Sequence, residues 1–250
     1  MRLFLPIGRW FRTLVRSPCM LCHQYAQGDR LCQDCAEVVR RTPWGVSGLD
    51  CGDRRIPVLW REAYGGLLTQ AIYRSKYRSA WGAARLLGHL LGALPRPWLG
   101  TDPVVVPIPL ADHRLADRGY NQSLLIARAA AQAWGLNAAP RLLRKRRRTA
   151  RQASLIKAAR SENLRDSFTA HAMICNQRVI LVDDIMTSGA TLREAQRAIS
   201  QAGGEVIAAA VIARVHHDSR HRPQGIRNLQ DSKALKARPA TTIHAQRRSV

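Results

Sequence analysis

Thirteen consecutive residues, Val179 to Thr191, constrain what this chain can fold into more than any other stretch. Val-Ile-Leu-Val at 179–182 is an apolar run of the kind that a strand buried on both faces requires. It gives way at once to two carboxylates, Asp183 and Asp184, and after Ile185 and Met186 to a small-residue loop of Thr187, Ser188, Gly189, Ala190 and Thr191. From Leu192 the apolar residues Leu192, Ala195, Ile199 and Ala202 recur at helical spacing, Gly203 and Gly204 stop the helix, and Val206 to Ile212 is a second apolar strand. The pattern predicts one βαβ unit of an α/β domain with parallel central strands.

The chemistry of such a junction follows from where its groups point. Hydroxyls and a glycine opening a helix offer unpaired backbone N–H groups and the positive end of a helix dipole, a combination that suits a phosphate. Asp183 and Asp184 leave the carboxyl end of a strand, the edge where open α/β sheets bind ligands, and there they accept hydrogen bonds from sugar hydroxyls or help place a cation. In this order the thirteen residues resemble the signature of type I phosphoribosyltransferases. The resemblance implies that Asp183 and Asp184 are the catalytic pair holding the ribose 2′ and 3′ hydroxyls. It also implies that Thr187, Ser188, Gly189, Ala190 and Thr191 hold the 5′-phosphate of phosphoribosyl diphosphate, taken with Mg²⁺.

Four of the six cysteines form two pairs, Cys19-Met-Leu-Cys22 and Cys32-Gln-Asp-Cys35, separated by nine residues. Each pair projects two sulfurs from one turn, and two such turns face to face make the tetrahedral thiolate cage that zinc prefers. With four protein ligands the site is closed, so the metal is structural. Disulfides are the competing reading, disfavoured where no export signal is recognised. His23, Cys51 and Cys175 are not needed as ligands.

The segment 1–17 carries Leu3, Ile7, Trp10, Phe11, Leu14 and Val15 near one helical face with Arg2, Arg9, Arg12 and Arg16 on others. It docks on its own protein or lies on a membrane surface. After the zinc module at 18–41, the glycine- and proline-rich residues 42–57 read as a linker, and 58–215 as the main domain. Within that domain Val58 to Tyr64 is a strand, Gly65 and Gly66 a turn, and Leu67 to Arg78 a helix carrying Lys76. A second helix runs from Trp81 to Leu91. Val104 to Val106 is a short buried strand held at its end by Pro107 and Pro109, and a helix runs from Ser123 to Trp134. Between them, Arg114 and Arg118 are guanidinium candidates for gripping a diphosphate.

The basic run Arg144 to Arg148 continues into an ordered pattern of Thr149, Gln152, Leu155, Arg160, Asn163, Leu164 and Phe168. Together with the paired cysteines, Tyr64-Gly-Gly through Lys76, Val106-Pro-Ile-Pro-Leu110 and Arg118-Gly-Tyr-Asn-Gln122, it resembles the ComF family, including its GntX-type members. The resemblance covers about residues 17–214. It implies a zinc-binding module on a phosphoribosyltransferase-like domain, with a cationic lid at Thr149 to Phe168. Lys76, Arg114, Arg118 and Arg160 are the diphosphate-binding candidates. The implied role is in competence, as uptake or nutritional use of external DNA, with single-stranded DNA or a competence helicase as partner. Two function classes stand side by side: an enzyme of pentosyl transfer, and a non-enzymatic factor that binds nucleic acid or a phosphoribosyl ligand.

Forty basic against 17 acidic residues give a net charge of +23, which suits polyanionic partners. The weight of that charge is reduced because 35 of the 40 are arginine, a bias that genome composition alone can produce. No apolar run approaches the length of a membrane span, so the expected location is the cytoplasm. Residues 216–250, with His216, His217 and His221 near their start and little apolar periodicity, read as a disordered basic tail.

Overall fold

The computed structural model describes residues 16–27, 31–76, 81–96, 98, 102–146 and 166–215. The amphipathic segment 1–17, apart from its last two backbone positions, lies outside the described residues, as do Arg160 and the tail 216–250. All described residues belong to one compact unit.

A two-stranded ribbon, β1 (Arg16–Pro18) with β2 (Tyr25–Gln27), and a helix, α1 (Gln33–Arg41), form the N-terminal module. The main sheet has five strands: β3 (Gly45–Asp50), β4 (Arg55–Ala63), β5 (Val104–Pro107), β8 (Arg178–Met186) and β9 (Glu205–Arg214). Their order is β3-β4-β9-β8-β5, with the last four parallel and β3 antiparallel at the edge. The helices are α2 (Leu67–Arg74), α3 (Trp81–Gly92), α4 (Asp112–Arg118), α5 (Gln122–Trp134) and α6 (Ala190–Gln201). A short antiparallel ribbon pairs β6 (Leu143–Lys145) with β7 (Phe168–Ala170), Lys145 opposite Phe168.

The apolar run at 179–182 is buried on both faces, as its composition requires. Ile180 and Val182 join the core under α3 and α5 with Leu87, Leu91, Ile126 and Ala130. Val179 and Leu181 join the opposite core under α6 with Leu192, Ala195 and Ile199. Alternation along the strand thus feeds two layers of helix. The helices α3 and α5 pack unusually close. A Cβ on Gly88 would stand 2.4 Å from the Ile126 carbonyl oxygen, and one on Gly92 2.5 Å from the Ala133 Cβ.

Three boundaries differ from the sequence reading. The helix expected over Leu67 to Arg78 ends at Arg74, so Lys76 stands in the turn that follows α2 and not on the helix. Residues 42–57 are not a loose connection: Gly45–Asp50 pairs with Arg55–Trp60 in a hairpin that closes the sheet edge. Their glycines accommodate cross-strand side chains, since a Cβ on Gly45 would meet the Trp60 ring at 2.7 Å. Strand β8 runs on to Met186, so the acidic pair stands within its last rungs instead of beyond them.

Candidate functional site

The acidic pair is placed by an offset between strands. The last rung between β5 and β8 joins Pro107 to Val182, whereas β8 stays paired with β9 through Asp183 opposite Val211 and on to Met186 opposite Arg214. Beside Asp183 and Asp184 the sheet therefore lacks a neighbour on the β5 side, and the N-terminus of α5 comes to the pair there.

The motif Arg118 to Ser123 supplies that contact, one residue at a time. Gly119, at φ 78°, closes α4 with its N–H bonded to the Leu115 carbonyl. The Tyr120 hydroxyl donates to the Ser75 carbonyl. Asn121 caps α5, accepting from the Ser123 N–H at 3.0 Å and donating to the Ile108 carbonyl at 3.0 Å. The Gln122 amide donates to Asp184 Oδ2 at 3.2 Å while its Oε1 accepts from Arg118 Nη1 at 3.0 Å. The Ser123 hydroxyl donates to Asp183 Oδ1 at 2.9 Å. From the other side Lys76 Nζ lies 3.4 Å from Asp184 Oδ2 and 5.2 Å from the centre of the Tyr73 ring.

Burial pushes the Asp183 carboxyl up to about 7, and the charge of Asp184 adds to the shift. The Asp184 N–H, the Ser123 hydroxyl and the Lys76 ammonium offset part of it.

Thr187 and Ser188 are exposed, Thr191 half-buried, and Gly189, at φ 77°, is the N-cap of α6; it has no side chain to cap the helix, and the Ser188 hydroxyl accepts from the Ala190 N–H at 3.5 Å. The first-turn N–H groups lie at the loop, that of Ala190 facing the Ser188 hydroxyl. A Cβ on Gly189 would meet Leu49 Cδ1 at 2.4 Å, so glycine is required here by the fold as well as by any approaching anion.

Of the candidate cations, Lys76 reaches the pair directly and Arg118 through Gln122. Arg114 is exposed on α4 and forms no hydrogen bond or ion pair with the pair. Gln122 and Ser123 carry no role in the sequence reading, yet both hold the carboxylates. Their signal is two polar residues at the start of an otherwise alanine-rich buried helix. A groove of ≈ 640 Å³ lined by Trp81, Arg118, Gly119, Tyr120 and Leu125 opens next to this cluster.

At the second site, one sulfur of each of Cys19, Cys22, Cys32 and Cys35 lies within 4.8 Å of the others. Tetrahedral thiolates about 2.3 Å from a zinc ion stand about 3.8 Å apart, so the donor set and its spacing fit that metal. Backbone N–H groups already face two of the sulfurs, Leu21 to Cys19 at 3.4 Å and Cys35 to Cys32 at 3.5 Å. Burial opposes ionisation of Cys19, but the backbone N–H groups of Cys22, Cys32 and Leu21 prevail and bring it down to about 6. The described cysteines form no disulfide.

The sequence profile described as "Phosphoribosyl transferase domain" matches residues 123–235. DNA utilization protein YhgH from Escherichia coli O6:H1 is 27% identical over 222 residues, 82% of this chain and 91% of that protein. Competence protein F from Haemophilus influenzae is 29% identical over 149 residues, 56% of this chain and 65% of that protein. An orotate phosphoribosyltransferase from Novosphingobium aromaticivorans is 56% identical over 36 residues, 14% of this chain and 19% of that protein. No helix among the described residues is long and apolar enough to cross a membrane. Over most of its length the chain is thus similar to proteins named for DNA utilization and competence, and it joins an α/β domain of phosphoribosyltransferase type to an N-terminal four-cysteine group able to form a zinc-binding module.

Proposed function

We propose that the site takes phosphoribosyl diphosphate, or a related ribose 5-phosphate ligand, as its Mg²⁺ complex, and that zinc fills the four-cysteine module. The reading is carried by one observation: β8 delivers the acidic pair and, after the three loop residues Thr187 to Gly189 that follow its end, the start of α6, so ribose and phosphate recognition follow each other along one strand and loop. The 5′-phosphate accepts from the N–H groups and hydroxyls of Thr187 to Thr191. Asp183 and Asp184 accept from the ribose hydroxyls and stand ready for the positive charge that develops in the ring. Among the described residues Lys76, on Asp184, and Arg118, on Gln122, are the cations offered to a departing diphosphate.

In the pentosyl transfer that this arrangement supports, the bond between the anomeric carbon and the diphosphate oxygen breaks with its electron pair leaving on the diphosphate. A lone pair on the acceptor then makes the new bond to that carbon. Bound Mg²⁺ supplies neutralisation of the leaving group. The groove walled by Trp81, Tyr120 and Leu125 offers a flat apolar face to an acceptor that carries a ring.

A second reading, binding without transfer, is favoured by the relatives named for DNA utilization and competence and by the charge of +23. In it the protein works in the cytoplasm on single-stranded DNA or beside a competence helicase. The two readings separate by diphosphate release against a panel of bases and amines, and by whether phosphoribosyl diphosphate displaces DNA bound with a steep salt dependence.

The phosphate assignment has its own test. Thr191→Val and Ser188→Ala remove hydroxyls without straining the backbone as a side chain at Gly189 would. Each should weaken ribose 5-phosphate binding about tenfold or more, the value of a hydrogen bond to a charged group. Unchanged affinity in both variants would place the phosphate elsewhere.

A further inference from the structure

The four-cysteine module touches the main domain next to the acidic pair. Leu21, between Cys19 and Cys22, is buried, its N–H faces the Cys19 sulfur, and its carbonyl accepts from Arg74 Nη1. Arg74 is the last residue of α2 and forms no salt bridge among the described residues. Its recorded partner is a backbone oxygen of the cysteine turn. Met20 of the same turn reaches the start of α3, its methyl 3.2 Å from where a Gly82 Cβ would stand. The turn is thus seated between the end of α2 and the beginning of α3.

The residues that follow Arg74 are pinned in sequence. Ser75 is fully buried; its N–H bonds the Ala71 carbonyl, its hydroxyl the Ile72 carbonyl at 2.7 Å, and its own carbonyl accepts from Tyr120. The Lys76 N–H bonds the Tyr73 carbonyl at 3.1 Å, and its ammonium reaches Asp184. A long lysine side chain at the edge of a site contributes little through an ion pair unless its backbone is held. Here the backbone is held from the acidic-pair side by Tyr120 and from the cysteine side by Arg74.

We propose that Arg74 is a positioning residue that couples metal occupancy of the cysteine module to the acidic pair, by fixing the end of α2 so that Lys76 lies on Asp184. Metal–sulfur bonds define the turn that presents the Leu21 carbonyl. Without them the turn relaxes, Arg74 loses its acceptor, and Lys76 leaves Asp184. The coupling acts through the protein and holds whichever ligand the site takes.

The chain has five lysines, Lys76, Lys145, Lys157, Lys233 and Lys236, so selective labelling of lysine side chains gives few NMR signals, and Lys76→Met assigns the one of interest. Metal is removed stepwise from the wild-type chain with a chelator. The Lys76 signal should shift in proportion to the metal lost and end where it stands in metal-loaded Asp184→Asn. Lys145, whose ammonium lies 5.4 Å from the Phe168 ring in the β6–β7 ribbon, is the internal control and should stay in place. Metal-loaded Arg74→Ala should show the shifted Lys76 signal at unchanged metal content, with Arg74→Lys, which keeps a donor, restoring most of the original position. A Lys76 signal independent of metal content overturns the proposal, and so does a shift of Lys76 and Lys145 together, which is unfolding. Should Arg74→Ala fail to fold, the wild-type titration and Arg74→Lys decide, a fully shifted signal in folded Arg74→Lys counting against the role of Arg74. Failure of ribose 5-phosphate to bind would leave this readout intact.

Discussion

At the scale of single residues, Asp183 is where structure and chemistry pull hardest against each other. Its native carboxyl keeps a proton to about pH 7, whereas an unfolded aspartate loses it near pH 3.9. Between these values the native state binds more protons, so the stability due to this group falls as pH rises from about 4 to 7. Asp183→Asn keeps the volume and removes the penalty. We expect it to raise Tm by a few degrees at pH 8 and by less at pH 5, while weakening ribose 5-phosphate binding. A variant that melts lower than wild type at pH 8 would show that the charge is not costly. The acidic pair was legible in the sequence because its neighbours are ordered by chain position. Gln122 and Ser123 were not, because they meet it from a helix some sixty positions away, and nothing local marks a polar residue on a buried helix face as a partner for a distant carboxylate.

At the scale of elements, the βαβ unit from Val179 to Ile212 was readable almost to its ends, since burial on both faces leaves a continuous apolar signature. The hairpin at Gly45–Asp50 was not. Its glycines look like linker residues, and only the folded chain shows them making room for the Trp60 ring and the Arg55 side chain. Pro57 precedes the first rung between β4 and β9, Val58 opposite Ala209, so its missing N–H costs no bond on that side. Close approach of backbone also governs α3 and α5. Gly88→Ala gains helix propensity but drives a methyl into the Ile126 carbonyl. The crowding should win, lowering stability by about 1–3 kcal/mol in denaturant unfolding, and a stabilised variant would mean that the helices part freely.

At the scale of the whole molecule, the cysteine module is built into the main core. Cys19, Leu21, Cys32, Cys35 and Val39 belong to the same buried cluster as Leu59, Leu68, Ile72 and Leu87. Buried Arg61 of β4 donates to the carbonyls of Val39 and Thr42 where α1 ends. The sequence suggested two bodies joined by a tether. With 42–57 folded as a sheet edge, loss of metal should reach beyond the module and lower the unfolding temperature of the remaining domain, read by calorimetry on chelated and loaded protein. Arg61→Leu strands those two carbonyls and should cost about 1–3 kcal/mol, with faster hydrogen exchange over Gln33–Arg41 than elsewhere. Uniform exchange would mean that Arg61 does not hold the module.

The central claim, that the acidic pair and the start of α6 form a phosphoribosyl site, is tested most directly by calorimetric titration of the metal-loaded wild-type chain with phosphoribosyl diphosphate and with ribose 5-phosphate, each with Mg²⁺. The structure predicts one site for both, with phosphoribosyl diphosphate the tighter by about tenfold or more because Lys76 and Arg118 meet only its diphosphate. Absence of binding by either ligand, or binding that survives unchanged in Asp183→Asn with Asp184→Asn, would contradict it.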